Sequence, residues 1–334
     1  MTRFFFTFFC SLLFCCAAVA TPGDVKKPGR SLFDQWEAQN TTAIELHVNF
    51  DSLEVYRKKT AALPAVVIEN GKELALDVSV RGRFRRRTCA MPPLKLQFKK
   101  DGLRAAGLTT HNDFKLVTHC TADEAGQDAI LREQLTYELY NTVAPAASFR
   151  TKLLTITYVN TADGSTTTSY AILIEDTDEL KNRLDSKNCK DCYALPADKV
   201  DNAETLALFQ YMIGNSDFSN RMVRNMKLLR GADDTYTAIP YDFDFSGLVN
   251  APYACGFDHL NETHATDRTL IWEYEAEADF SAVSVTFFAM KDQLLDQVMN
   301  FEGLKMTSKR EITRYLKGFY RNLAKGLPGV TAAR

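Results

Sequence analysis

The chain has 334 residues, with 40 Lys and Arg against 42 Asp and Glu, and 46% of its residues are hydrophobic. A formal net charge of −2 argues against a generally basic nucleic-acid binder, which needs excess cationic charge to hold phosphates. The apolar fraction is too high for a disordered protein, and the length supports one large domain or two modest ones.

The first twenty residues carry one cation, Arg3, then an apolar run and the small-residue pattern Ala18-Val19-Ala20. This reads as a secretory signal peptide, with Thr21 the expected mature N-terminus. The run is short for a membrane anchor, and no long apolar segment follows. Cleavage leaves five of the eight cysteines and shifts the formal charge to −3. Export places Cys89, Cys120, Cys189, Cys192 and Cys255 in an oxidising compartment, secreted, periplasmic or at the cell surface. Cys189-Lys190-Asp191-Cys192 has no second CxxC and no nearby His to complete a zinc site, so a local disulfide is expected. Cys89 and Cys120 flank neighbouring strands and form a second expected pair, which leaves one thiol over.

Residues 21–43 are polar, with Pro, Gly and Lys, and read as a linker. From Ile44 the period is that of strands, over 44–50, 64–69, 74–80, 94–98 and 114–117. Their short connections predict a mostly antiparallel sheet. Leu131, Leu135, Leu139 and Val143 then form one stripe of a helix over 128–143, capped by Asp128 and ended before Pro145. Strands at 152–159 and 169–174 flank the turn signal Thr161-Ala162-Asp163-Gly164. Helices are expected at 178–184, 203–213, 288–299 and 309–323, with a small hairpin at 225–229 and 236–239. The pattern is α+β and two-lobed: a sheet-rich lobe over 44–175 and a mainly helical lobe over 176–334.

Two carboxylate-bearing segments lie in the helical half. Asp217 follows a helix in Ile213-Gly-Asn-Ser-Asp217-Phe-Ser-Asn220, which runs on to Asn225. Asp242 and Asp244 alternate with aromatics in Ile239-Pro-Tyr-Asp242-Phe-Asp244 at the end of a strand, where period 2 puts both on one face. Acids so close repel unless a cation or proton lies between them, and a hard divalent cation suits them. A solvated turn with Asp as a turn-former is the plainer alternative. The sheet half holds the opposite charge. Residues 81–104 carry nine cations (Arg81, Arg83, Arg85, Arg86, Arg87, Lys95, Lys99, Lys100, Arg104) and one acid, Asp101. The near-neutral total is thus a cancellation, and the polarised field suits phosphate held between the two halves. A solvated basic face is the alternative.

Four stretches together resemble the CotH family of atypical secreted protein kinases, over about residues 72–250. Arg81-Gly82 with Pro92-Pro-Leu-Lys95-Leu-Gln-Phe98 is similar to the family's RG…KKPYKLKF segment. Ile130-Leu-Arg132-Glu133-Gln-Leu135 is similar to its LRN-xLA helix, and Tyr170-Ala-Ile-Leu-Ile-Glu175 to its YxGxYxLxE strand. Gly214-Asn-Ser-Asp217 through Asn225, then Ile239-Pro-Tyr-Asp242-Phe-Asp244, is similar to its GNxDxxxxN…IPYDFD core, the most specific of the four. The chain departs from the family at Arg83-Phe84, where Asn-Ser is common, and at Ala171-Ile172, where the YxGxY glycine is missing.

The resemblance implies a two-lobed kinase-like fold and transfer of the ATP γ-phosphoryl group to Ser or Thr of an extracytoplasmic protein, with Mg²⁺ or Mn²⁺. Asp217 would be the catalytic acid/base. Asp242 would hold metal, with Asp244 a second candidate, and Asn225 would join it, with Asn220 as alternative. Arg81 and Lys95 would contact the phosphates. Glu133 or Glu138 would pair with Lys95 from the helix, and Glu175 would begin the link between lobes near the adenine. A non-catalytic binding protein on the same fold is the competing reading. A metal-dependent hydrolase lacks His ligands near these acids, and no serine-hydrolase elbow occurs.

Overall fold

The computed structural model describes Met1 and residues 29–59, 61–189 and 191–328. The expected signal peptide lies outside the described residues.

Seven strands close into a barrel: β1 (Ala43–Val48), β2 (Leu63–Glu69), β3 (Lys72–Val80), β4 (Leu94–Phe98), β5 (Asp113–Thr118), β6 (Thr151–Asn160) and β7 (Thr166–Ile174). Their order is β1-β2-β3-β4-β5-β7-β6, and all contacts are antiparallel except the closing seam, where β1 runs parallel to β6. The antiparallel sheet expected from sequence is therefore a closed barrel with one parallel joint. Closure removes the free edges that an open sheet would present. The alternating apolar positions point inward, with Leu46, Val67, Leu76, Val78, Leu94, Leu96, Leu116 and Ile156 all buried in one core.

The segment 21–43 is not wholly a linker. Residues Leu32–Ala38 form a helix, α1, whose Leu32, Phe33 and Trp36 join the barrel core, with the Trp36 indole edge-on to Phe98 at 6.1 Å. Ser31 and Asp34 form a reciprocal capping box at its start. Polar flanks concealed three apolar side chains at helical spacing.

Short helices α2 (Phe50–Val55), α3 (Arg85–Thr88) and α4 (Lys100–Ala105) lie in the barrel connections. The long helix α5 (Glu124–Val143) starts four residues before its expected beginning and is capped by Asp123, not Asp128. Asp128 instead accepts from Arg132 and Ser308, both at 2.6 Å. Gly126 is required in the first turn, since a Cβ there would lie 2.0 Å from the Thr121 carbonyl oxygen.

The remainder is α6 (Thr177–Arg183), β8 (Lys187–Asn188), α7 (Ala203–Ile213), β9 (Met226–Arg230), β10 (Tyr236–Pro240), α8 (Ser281–Ala289), α9 (Lys291–Asn300) and α10 (Met306–Lys325). Strands β10, β9 and β8 make a small antiparallel sheet. The late helix expected at 288–299 is α9, and α8, just before it, was not expected; the two are separated at Met290, with α8 packed on α7 and α9 against α5 and α10. A second core joins α5, the outer face of β5 and β7, and these helices. Helix α7 is its centre, buried from Leu206 through Ile213.

Both expected disulfides form, Cys89–Cys120 and Cys189–Cys192, and Cys255 is exposed as a free thiol. They fit an oxidising, extracytoplasmic setting. Among the described residues no helix is long and apolar enough to cross a membrane.

Because Trp36 belongs to the barrel core, Trp36→Ala should cost about 3–5 kcal/mol in urea unfolding. A loss below about 1 kcal/mol would place α1 outside the folding unit.

Candidate active site

Helix α7 ends at Gly214, whose left-handed backbone (φ 63°) turns the chain into the Asp217 loop. A Cβ at Gly214 would lie 1.9 Å from the Tyr315 hydroxyl, so no other residue fits. The loop backbone is pinned by a bond from the Asp217 N–H to Asn215 Oδ1 at 3.0 Å. The Asp217 carboxylate accepts from Asn225 Nδ2 at 3.0 Å and lies 3.5 Å from Arg224 Nε. Burial raises its pKa from the ordinary aspartate value, with Arg224 opposing the rise and Asp242 adding to it. That direction suits a proton acceptor working near neutral pH.

Three residues around this loop hold left-handed backbone: Val223 (φ 50°), Asn225 (φ 54°) and Asp242 (φ 68°). For β-branched Val223 this conformation costs on the order of 1–3 kcal/mol. Ser219 and Arg224 pair across the base of the loop, at 2.9 and 3.3 Å. The pairing is braced from outside by Glu273, which accepts from Ser219 Oγ at 2.8 Å and from the Arg221 N–H at 3.0 Å. Glu273 is thus a structural brace, and its partners lie 52 and 54 residues away and leave no local signal in the sequence.

Asp242 and Asp244 do not share a face. Strand β10 ends at Pro240, and the left-handed turn at Asp242 breaks the period-2 rule. The Asp242 N–H donates to the Tyr137 hydroxyl at 2.9 Å, and its side chain remains half-buried. Asp244 is buried. It accepts from the Tyr253 hydroxyl at 2.9 Å and lies 4.0 Å from Arg85 Nε. Burial and Asp242 push its pKa up to about 7, against the pull of Arg85.

Arg85 is the cation that meets the helix glutamate. Its guanidinium is buried, 3.6 Å from Glu133 on α5, and donates to the Thr118 carbonyl. Lys95, expected in that role, instead pairs with Asp113 at 2.6 Å on the outer face of the barrel. Glu138 accepts from Gln134 at 3.0 Å and is not part of the cluster. Of the five arginines in 81–87, the strand end and the four-residue helix α3 turn Arg85 inward, while Arg86 binds the carbonyls of Arg57 and Lys59. Glu175 is fully buried between Arg150 (2.9 Å) and Arg183 (2.7 Å). It sits at the crossing from β7 to α6, where its carboxylate holds the chain and is not open to a ligand.

Two further cations sit where sequence analysis did not place them. Lys115 on β5 lies opposite Lys95 in the strand register. Its Nζ is 5.8 Å from the Tyr241 ring centre, and Lys227 on β9 is 5.9 Å from the same ring. Burial, Arg81 and Lys227 together push the Lys115 pKa down to about 8. Burial and Arg81 also lower that of Lys227. Among the described residues, Arg81, Lys115 and Lys227 have no carboxylate within 4 Å. Three mutually repelling cations around Tyr241, the residue before Asp242, are an arrangement that an anion would relieve.

A hard cation has oxygen donors here. Asp242 is free of side-chain ion pairs among the described residues, and both amide atoms of buried Asn220 lack a partner. No group of three His, Cys, Asp or Glu is assembled among the described residues. Carboxylate and amide oxygens of this kind are the donors that a hard divalent cation takes.

Removing one member of the buried ion cluster should be costly. Arg85→Met is expected to lose about 3–5 kcal/mol in chemical unfolding. Adding Glu133→Gln and Asp244→Asn should recover most of it, and failure to recover would mean that Arg85 acts by packing alone. Lys115→Met should do the reverse and stabilise the protein at pH 7. Its folded pKa of about 8 lies below the ordinary 10.5, so keeping the charge buried destabilises the chain below pH 8. The gain, on the order of 3 kcal/mol at most, should fade as pH rises from 8 toward 10.5. An unchanged melting temperature at pH 7 would contradict a buried charge there.

No family model matches the chain, and no curated protein matches it. Among solved structures, the Helicobacter pylori proinflammatory kinase CtkA aligns with a TM-score of 0.33 and 9% identity, over 80% of this chain and 93% of that chain.

Proposed function

We propose that the chain is a phosphotransferase that moves the γ-phosphoryl group of ATP to a hydroxyl acceptor, Ser or Thr of an extracytoplasmic protein. The observation that supports this reading is the convergence of Lys115 and Lys227 on Tyr241, the residue before Asp242, with Arg81 close enough to act on both and the raised-pKa Asp217 influenced by Asp242. Phosphoryl transfer asks a protein mainly for positioning and charge, with a carboxylate to receive the acceptor's proton. Here the three cations would hold the triphosphate, and Tyr241 would form the floor beneath them. Asp242, with Asn220, would hold Mg²⁺ or Mn²⁺, which supplies neutralisation of the phosphate oxygens. Asn225 keeps the Asp217 carboxylate oriented through its bond to Oδ2, and Asp217 takes the proton from the attacking hydroxyl. The motif resemblance to secreted CotH-like kinases points the same way.

With labelled ATP and Mg²⁺ or Mn²⁺, the purified chain should label itself or a Ser-rich protein. Asp217→Ala and Asp242→Ala should each reduce labelling at least about a hundredfold. Parent-level labelling by Asp217→Ala would sink the mechanism. ATP should also raise the unfolding temperature in a metal-dependent way. A shift without any transfer would identify a nucleotide-binding protein without catalysis.

A further inference from the structure

The side of the helical half behind the Asp217 loop carries a second cationic depression, of about 450 Å³, between residues 247–250, 266–268 and helix α10. Four of its lining residues are arginines: Arg132, Arg268, Arg314 and Arg321. One acid, Glu311, lines it, and Glu311 is bonded to Arg132 at 2.7 Å, while Arg132 also holds Asp128 at 2.6 Å. The other three arginines have no carboxylate within 4 Å among the described residues. The nearby Asp267 carboxylate is turned to the N–H groups of Thr263 and His264.

Arg268 is a built feature and not a loose surface chain. Its guanidinium lies 3.5 Å from the Tyr315 ring centre and donates to the Met212 and Tyr315 carbonyls, at 3.3 and 2.7 Å. Burial lowers its pKa, and Arg321 lowers it further. Its Nη1 has no protein partner among the described residues. A Cβ built on Gly318 would meet Arg268 Nη1 at 3.4 Å and Arg321 Nη2 at 3.6 Å, so both guanidinium groups crowd one point beside α10. Arg268 is locked by stacking and faces the exposed Arg321, so two like charges share one point that an anion between them would neutralise. Planar guanidinium forks match the paired oxygens of phosphate.

We infer that this depression is a binding site for a small, multiply charged anion of the phosphate class, held by Arg268, Arg314 and Arg321. It is separate from the cleft at Asp217 and does not depend on how that cleft is read. Tyr315, which stacks on Arg268, donates its hydroxyl to the Thr266 carbonyl at 3.1 Å, next to Gly214 and Gly247, which are bonded to each other at 2.9 Å.

Pyrophosphate is the probe, titrated by calorimetry into the purified full chain at constant ionic strength set with chloride. A Lys115→Met/Lys227→Met variant, which empties the cleft of two cations, should still bind one pyrophosphate. Arg314→Ala/Arg321→Ala in that background should weaken it about tenfold or more without lowering the unfolding midpoint. Gly318→Asp places a carboxylate between the two guanidinium groups and should abolish binding, whereas Gly318→Ala should retain it. Unchanged affinity in the arginine double variant or in Gly318→Asp would overturn the site. So would the loss of all pyrophosphate binding in the cleft variant, or displacement by chloride alone.

Discussion

A buried guanidinium ties together the parts on which the cleft depends. Arg85 comes from the barrel connection, Glu133 from α5 and Asp244 from the segment after β10, and the three meet out of water. An unpaired charge at that depth would be prohibitively unfavourable, so each segment is obliged to supply its partner. The bond from Arg85 to the Thr118 carbonyl and the Cys89–Cys120 bridge fix the arginine from both sides. Aromatic contacts among Phe84, Phe245 and Tyr253 close over the same junction. The barrel, α5 and the segment after β10 are thereby held at one junction.

Around that junction the chain holds local strain. Val223, Asn225 and Asp242 hold left-handed backbone, and Lys115 keeps a charge that burial disfavours. Such features persist only where the surroundings over-determine them. Here the surroundings are the Gly214 turn against Tyr315, the Glu273 brace and the Tyr137 hydroxyl under Asp242.

Much of the barrel and the hairpin of β9 and β10 was legible from alternation alone, because period 2 survives in a strand buried on one face. Helices α5, α7 and α10 were legible for the same reason at period 3.6. The misreadings have separate causes. Helix α1 hid behind polar neighbours. Asp128 looked like a cap but bonds to α10, 180 residues away. Helix α8 was not expected, and it separates from α9 at Met290, each with packing partners that no local pattern records.

The sequence by itself determined the charge separation, the cysteine pairs, and the Asp217, Asn225 and Asp242 segments. Each depends on residue type and on position along the chain. Only the tertiary structure decided which cation meets which acid. Lys95 and Arg85 are both cations of one basic stretch, yet strand direction sends Lys95 to Asp113 and a four-residue helix sends Arg85 inward to Glu133. Lys115 and Lys227 are ordinary strand lysines until the fold brings both to the Tyr241 ring. Barrel closure, likewise, is a long-range pairing of β1 with β6, more than a hundred residues apart in the chain, and local patterning carries no information about it.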